Sequence, residues 1–203
     1  SLIADRIFAA GLVAGSVSAL NYATRVMQWP LGIFATSVGV AAYPTLSEHA
    51  AQRRVDALRH TVADGLRGLW FVIVPASVGL VIVRRPLIGL LFERGAFDPD
   101  ASVMVAGALS FYALGLFAHG ANVLLTRVFF SLQDSGTPMR VSLVTIALKI
   151  ALSAMLVGLL AHRGLALATS LAAAANAFLL FHWLRLRLGH LHGRRILRSA
   201  AKI

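Results

Sequence analysis

The chain has 203 residues, is 58% hydrophobic and has a mean hydropathy of +0.78, far more apolar than an ordinary soluble domain. It has no cysteine, which excludes a disulfide framework and thiolate metal sites. A formal charge of +11 suits a nucleic-acid binder at first sight, but the placement of the charges argues for a membrane instead, and no nucleic-acid partner is expected.

Stretches free of Asp, Glu, Lys and Arg cover 7–24, 26–47, 68–83, 101–126 and 164–184, and a sixth, 141–161, is broken only by Lys149. A bilayer-spanning helix needs about 20 such residues, and the helices of a soluble bundle would carry a polar face. The expected fold class is therefore all-α: a polytopic transmembrane bundle of six segments forming one lobe.

Segment one is expected over about 1–13 and holds Asp5 and Arg6. "GLVAGS", with Gly15, makes a short external turn. Segment two runs over about 16–46. Pro30 and Pro44 lie inside it, and each frees a carbonyl four residues back, so kinks are expected near Val26 and Val40. Residues 48–67 read as a cytoplasmic amphipathic connection, followed by segment three over 66–83. Residues 84–98 are too polar to span and too apolar for a plain loop; an external interfacial helix and a turn at Gly95 are expected, with Asp98 as N-cap and Pro99 at the first helical position. Segment four covers 99–131, with Gly115 and Gly120 as weak points. "SLQDSGTP" is a turn cluster. Segment five covers 138–160, "AHRG" is an external turn, and segment six covers 164–187, where the small residues 172–175 permit close helix packing. No basic leader precedes the first apolar stretch, and both ends read as cut from a longer protein.

Basic residues alternate in density between successive connections. Twelve Lys/Arg lie in 48–67, 127–140 and 185–203, against Arg84, Arg85, Arg94 and Arg163 in the others. That is the positive-inside asymmetry, so the richer connections are expected in the cytoplasm.

Inside this apolar frame, Arg25 is the only charged residue between 7 and 47. On an α-helix, Ser18, Gly32 and Thr36 fall within about 20° of it, Asn21 and Gly39 within about 40°, and Tyr22 and Gln28 about 60° to either side. Arginine at mid-membrane costs at least about 2.5–3.5 kcal/mol, so it faces a partner or a watery cavity. One reading is a buried pair with a carboxylate elsewhere. The other is an anion-binding cation lining a transport cavity, for which a guanidinium fork suits phosphate oxygens. Segment five has a stripe of its own: Ser142, Thr145, Lys149 and Ser153. Asp5 and Lys149 are lone opposite charges that could neutralise one another, with Thr169 and Asn176 completing a polar cluster. Asp5 could instead pair with Arg6.

Other chemistries lack support. There is no P-loop and no HExxH spacing. His190 and His192 fit a solvated basic end, and His119 and His182 are isolated. No catalytic constellation, cofactor or metal site is expected, and the chain is not read as an enzyme.

The stretch "GSVSALNYATRVMQWPLGIFATSVGVAAYPTLSEHA", followed in order by "LLFERGAFDPDAS", "SLQDSGTPMR" and "RGLALATSLAAAANA", resembles the MurJ/MviN lipid II flippases of the MOP exporter superfamily. The resemblance implies a MOP/MATE-like lobe, helices seven to twelve of fourteen, with the first lobe missing. It implies a multi-pass protein of the bacterial cytoplasmic membrane that flips an undecaprenyl-pyrophosphate-linked peptidoglycan precursor by alternating access. Arg25 matches the cavity arginine of the family's "NYAxRxMQxP" motif, and Thr24 stands where an acid commonly precedes it. Gly15 resembles a gate glycine. Ser18, Asn21, Gln28 and Thr36 would extend the substrate-binding wall, with Gly15, Pro30 and Pro44 as gate and hinge positions. Some members bind sodium among helices seven, eleven and twelve; Asp5 and Thr169 match ligand positions, while Lys149 and Ser153 replace the others. An ammonium there stands in for the ion's charge and counts against a sodium site. The alternatives are another MOP-type carrier of polyprenyl-linked oligosaccharides, and a non-transporting scaffold or degenerate lobe.

Overall fold

The computed structural model describes residues 15–92 and 99–189. Segment one with Asp5, the turn at Gly95, Asp98, and His190 with His192 lie outside the described residues. Nearly all described residues are helical: α1 (Ser16–Pro30), a π-turn (Leu31–Ala35), α2 (Thr36–Ala51), α3 (Val55–Phe92), α4 (Pro99–Leu114), α5 (Leu116–Ser131), α6 (Gly136–Leu160) and α7 (His162–Leu188). Helices α3, α6 and α7 are long and apolar enough to cross a membrane, and α4 with α5, bent by 49°, makes a fourth span if taken as one. The α1–α2 stretch is split by the π-turn into α-helical pieces of 15 and 16 residues.

Proline acts differently here from expectation. After Pro30 the backbone does not simply kink; it widens into the π-turn, where the Thr36 N–H reaches the Leu31 carbonyl five residues back. Pro44 lies inside α2, whose helix runs on to Ala51. A π-turn winds by about 80° per residue instead of 100°. Five such residues rotate everything downstream by about 100°. Gly39, expected near the Arg25 stripe, is consequently turned into the bundle and buried, while Ser37 and Val40 are exposed.

The described parts of the 48–67 connection and of the 84–98 stretch are helical, while 93–98 lie outside the described residues. Only 52–54 interrupt the helices, with Arg53 at φ 54°, and α3 then runs unbroken for 38 residues through Pro75 and Pro86 to Phe92. The cause is a single apolar stripe. Leu58, Val62, Leu66, Leu69, Ile73, Leu80 and Ile88 are all buried at helical spacing, so the amphipathic connection and the membrane segment share one phase.

Two apolar clusters form the core. One joins α1, the far half of α3, α4 and the start of α7 (Ala23, Val26, Ile73, Leu109, Leu165). The other joins α2, the near half of α3, α5 and the end of α7 (Leu46, Leu66, Leu124, Leu184). The bend between α4 and α5 lies at Gly115. A methyl there would come 2.5 Å from Ser170 Oγ and 2.8 Å from its Cα, so only hydrogen lets α7 approach. Gly120, the other expected weak point, lies in unbroken α5; a methyl there would meet Ile73 Cδ1 at 2.7 Å.

Candidate functional site

The Arg25 stripe lies on the open side of the lobe. Ser18, Arg25, Gln28, Gly32 and Thr36 are exposed and Asn21 is half-buried, while the opposite face of α1 (Ala19, Ala23, Val26) is fully packed. Arg25 has no hydrogen bond or ion pair among the described residues, and no described carboxylate approaches it. Thr24 does not engage it: its hydroxyl donates to the Leu20 carbonyl at 2.7 Å. The Thr36 hydroxyl reaches Leu31 O at 3.4 Å, across the π-turn. Tyr22 packs on Phe92 with ring centroids 4.7 Å apart, tying the middle of α1 to the end of α3. Gly15 precedes α1 in the left-handed region (φ 92°), with no described atom within 4 Å of an added methyl, so its backbone calls for glycine.

A second polar group lies inside the bundle. Thr145, Lys149 and Ser153 are buried on α6, whereas Ser142, expected beside them, is exposed. Thr145 and Lys149, with Thr169 and Asn176 of α7 and His119 and Asn122 of α5, line a cleft of about 220 Å³. Asn176 Nδ2 donates to Thr145 Oγ1 at 2.9 Å, the Thr145 hydroxyl donates to Val141 O at 3.0 Å, and Asn122 Nδ2 donates to Ala173 O at 3.0 Å. His119 Nε2, Asn122 Oδ1 and Ser153 Oγ have no hydrogen-bond partner among the described residues. His119 and Asn122 were missed in the sequence, where His119 reads as isolated. The available signal was their separation of three residues on an apolar helix, which puts both on one face.

The three basic connections meet at one end of the bundle. Arg59 forms an ion pair with Asp56 at 2.8 Å and donates to the Leu188 carbonyl at the end of α7. Arg187 pairs with Asp134. Asp134 also accepts from Thr137 N at 2.9 Å and Thr137 Oγ1 at 2.8 Å, closing the turn before α6. The Thr137 backbone N–H, then its hydroxyl and the Arg187 guanidinium, hold the Asp134 carboxyl below the usual carboxylate range against an opposing effect of burial.

The family model described as "Lipid II flippase MurJ" matches residues 1–203 of this chain. The chain belongs to the MurJ lipid II flippase family. That is a family of transporters and not of enzymes. Among its relatives, a probable lipid II flippase MurJ of Vibrio cholerae serotype O1 is 32% identical over 187 residues, covering 92% of this chain and 36% of the relative. One from Rhizobium tropici is 34% identical over 177 residues, covering 87% and 33%. The lipid II flippase MurJ of Burkholderia cenocepacia is 32% identical over 191 residues, covering 92% and 36%. A solved structure, "Lipid II flippase MurJ, inward closed conformation", superimposes with a TM-score of 0.84 at 25% identity over 98% of this chain and 41% of its own. The chain thus spans about a third of the length of the MurJ relatives it matches.

Proposed function

We propose that this chain is the second six-helix lobe of a MurJ transporter that moves an undecaprenyl-pyrophosphate-linked peptidoglycan precursor, lipid II, across the bacterial cytoplasmic membrane. The observation that carries the reading is Arg25: an exposed cation without a partner among the described residues, on a helix otherwise free of charge. Lipid does not tolerate such a group. A facing lobe and a polar headgroup do.

The lipid tail of the substrate is at home in hydrocarbon and its headgroup is not. A face of Ser18, Asn21, Arg25, Gln28 and Thr36 gives the headgroup hydrogen-bond partners across the apolar layer, and Arg25 meets the pyrophosphate with two parallel N–H donors. Two lobes rocking about that site give alternating access. The π-turn behind Pro30 and the left-handed Gly15 bracket the stripe where it would bend, with Pro44 as a further hinge. The end holding Arg59, Asp134 and Arg187 faces the cytoplasm. In the polar cleft, Lys149 pairs with Asp5 and its ammonium takes the place of a bound sodium ion.

The test is binding of labelled lipid II by the full-length protein carrying this lobe, with Arg25→Ala and Arg25→Lys beside it. Saturable binding that Arg25→Ala removes supports the reading. Binding of a different polyprenyl-linked oligosaccharide in preference to lipid II assigns the lobe to another carrier of the superfamily, and no binding of either leaves a scaffold.

A further inference from the structure

Arg127 belongs by sequence to a basic connection, yet it sits inside α5, four residues before the end of that helix. Its side chain lies directly against the backbone of α2: a methyl on Gly39 would come 2.8 Å from both Arg127 Cδ and Nε. Gly39 is buried by this contact, and Arg127 is itself half-buried. The π-turn creates the arrangement by rotating Gly39 off the open face and into the α2–α5 seam. The guanidinium has no hydrogen bond or ion pair among the described residues. Its two flanking helices offer little to neutralise it: α5 contains no acid, and the one acid of α2, Glu48, lies nine residues from Gly39 and accepts from Gln52 Nε2 at 3.2 Å.

The residues one turn to either side of Gly39 on α2 are Thr36 and Tyr43, and both are exposed. Positions three and four apart are surface neighbours on a helix, so two hydroxyl side chains border the place where the arginine crosses. A guanidinium held across a glycine, with hydroxyl side chains at its rim and no carboxylate paired to it among the described residues, has the chemistry of a phosphate site. Fourteen residues separate Gly39 from Arg25, or roughly 20 Å along the axis. A single phosphate group therefore does not span both.

We propose that Arg127, seated on Gly39 and bordered by Thr36 and Tyr43, is a second anion site of this lobe, which binds the phosphate of a lipid headgroup at the α2–α5 seam. The inference rests on the transporter reading for one of its two lipid sources, the pyrophosphate of the carried lipid. The other source is a phosphodiester of the surrounding bilayer.

Native mass spectrometry of the detergent-solubilised full-length protein tests it, titrating undecaprenyl pyrophosphate in one arm and phosphatidylglycerol in the other. Arg127→Gln is expected to weaken one of the two by about tenfold or more, and Arg127→Lys to restore part of the loss. Gly39→Ala is expected to weaken the same lipid, because the methyl displaces Arg127. In the Arg127→Gln background Gly39→Ala should add nothing, a non-additivity that a purely structural glycine would not show. Loss in the first arm assigns the site to the carried lipid, and loss in the second to the bilayer. Unchanged titrations in both arms for an Arg127→Gln protein that unfolds at the wild-type midpoint overturn the proposal. Its failure is separable from that of the transporter reading, which is decided by whether the wild-type protein binds the pyrophosphate lipid and whether Arg25→Ala abolishes it.

Discussion

Gly115→Ala is expected to destabilise the lobe although alanine is the better helix former. Gly115 sits at the bend between α4 and α5 with φ −89° and ψ −4°, a negative-φ conformation open to any residue, so no conformational reason demands glycine. Propensity alone would favour alanine by up to about 1 kcal/mol. Space decides the sign. The new methyl would sit 2.5 Å from Ser170 Oγ, 2.6 Å from its Cβ and 2.8 Å from its Cα, and a Cα on α7 cannot swing aside as a side-chain tip can. The Ser170 hydroxyl is also committed, donating to Phe111 O at 2.7 Å. Overpacking of this kind costs about 1–3 kcal/mol, so a net loss of up to about 2 kcal/mol remains even if the full propensity gain is subtracted. Gly79→Ala is the internal control: it lies in helix α3 with nothing within 4 Å of the new methyl, and neutral to slightly raised stability is expected. The assay is unfolding of the purified protein in mixed micelles of mild and denaturing detergent, read as the transition midpoint. Equal midpoints for Gly115→Ala and Gly79→Ala would show that the close approach of α4–α5 to α7 does not set the packing, and would refute the reasoning.

Four further outcomes follow from other parts of the structure. Asp134→Ala removes the acceptor for the Thr137 N–H as well as the Arg187 pair, and should lower stability by about 1–2 kcal/mol at neutral pH. Because the folded Asp134 carboxyl is held below its usual range, its contribution is present above the ordinary value of about 3.9 and is lost only as pH falls through the lowered one. The difference between wild type and Asp134→Ala should thus be flat from pH 5 to 8 and narrow only in stronger acid, as unfolding midpoints across that range would reveal. Gly15→Ala forces a methyl-bearing residue to φ 92° and should cost about 1–2 kcal/mol of strain, visible in the same unfolding assay. Asp5→Asn and Lys149→Met should each impair function more than the two together, since one buried charge without the other is worse than none; additive effects in a double-mutant cycle count against the pair. Cysteines introduced at 56 and 134 should react with an impermeant thiol reagent only from the cytoplasmic side of inverted vesicles, and labelling from the outside reverses the proposed orientation.

Much of the helical architecture was legible because its cause is local. Charge-free runs of bilayer length identify spans whatever they pack against, and the polar residues around Arg25 stand out against an apolar background. The π-turn was not legible. Pro30 announces a disturbance, but whether the freed carbonyl yields a kink or an extra residue per turn depends on packing against α3 and α5, and that choice moves Gly39 from the stripe into the core. The unbroken α3 was hidden by charge: Arg84 and Arg85 suggest a boundary, yet the Leu80–Ile88 spacing continues the buried stripe beneath them. Lys149, Ser153 and Thr169 could be grouped by face, but His119 and Asn122 join them only through the bend at Gly115, which no periodicity along α5 reports.

The central claim is that Arg25 meets the pyrophosphate of the carried lipid. The measurement that addresses it most directly is growth of cells whose only lipid II flippase is the full-length protein with Arg25→Ala, with membrane accumulation of the variant measured in parallel. The account predicts no growth at wild-type accumulation, and partial growth for Arg25→Lys, where a point charge replaces the bidentate fork. Wild-type growth of Arg25→Ala would contradict it, and loss of growth through loss of the protein from the membrane would return Arg25 to the role of a buried structural charge.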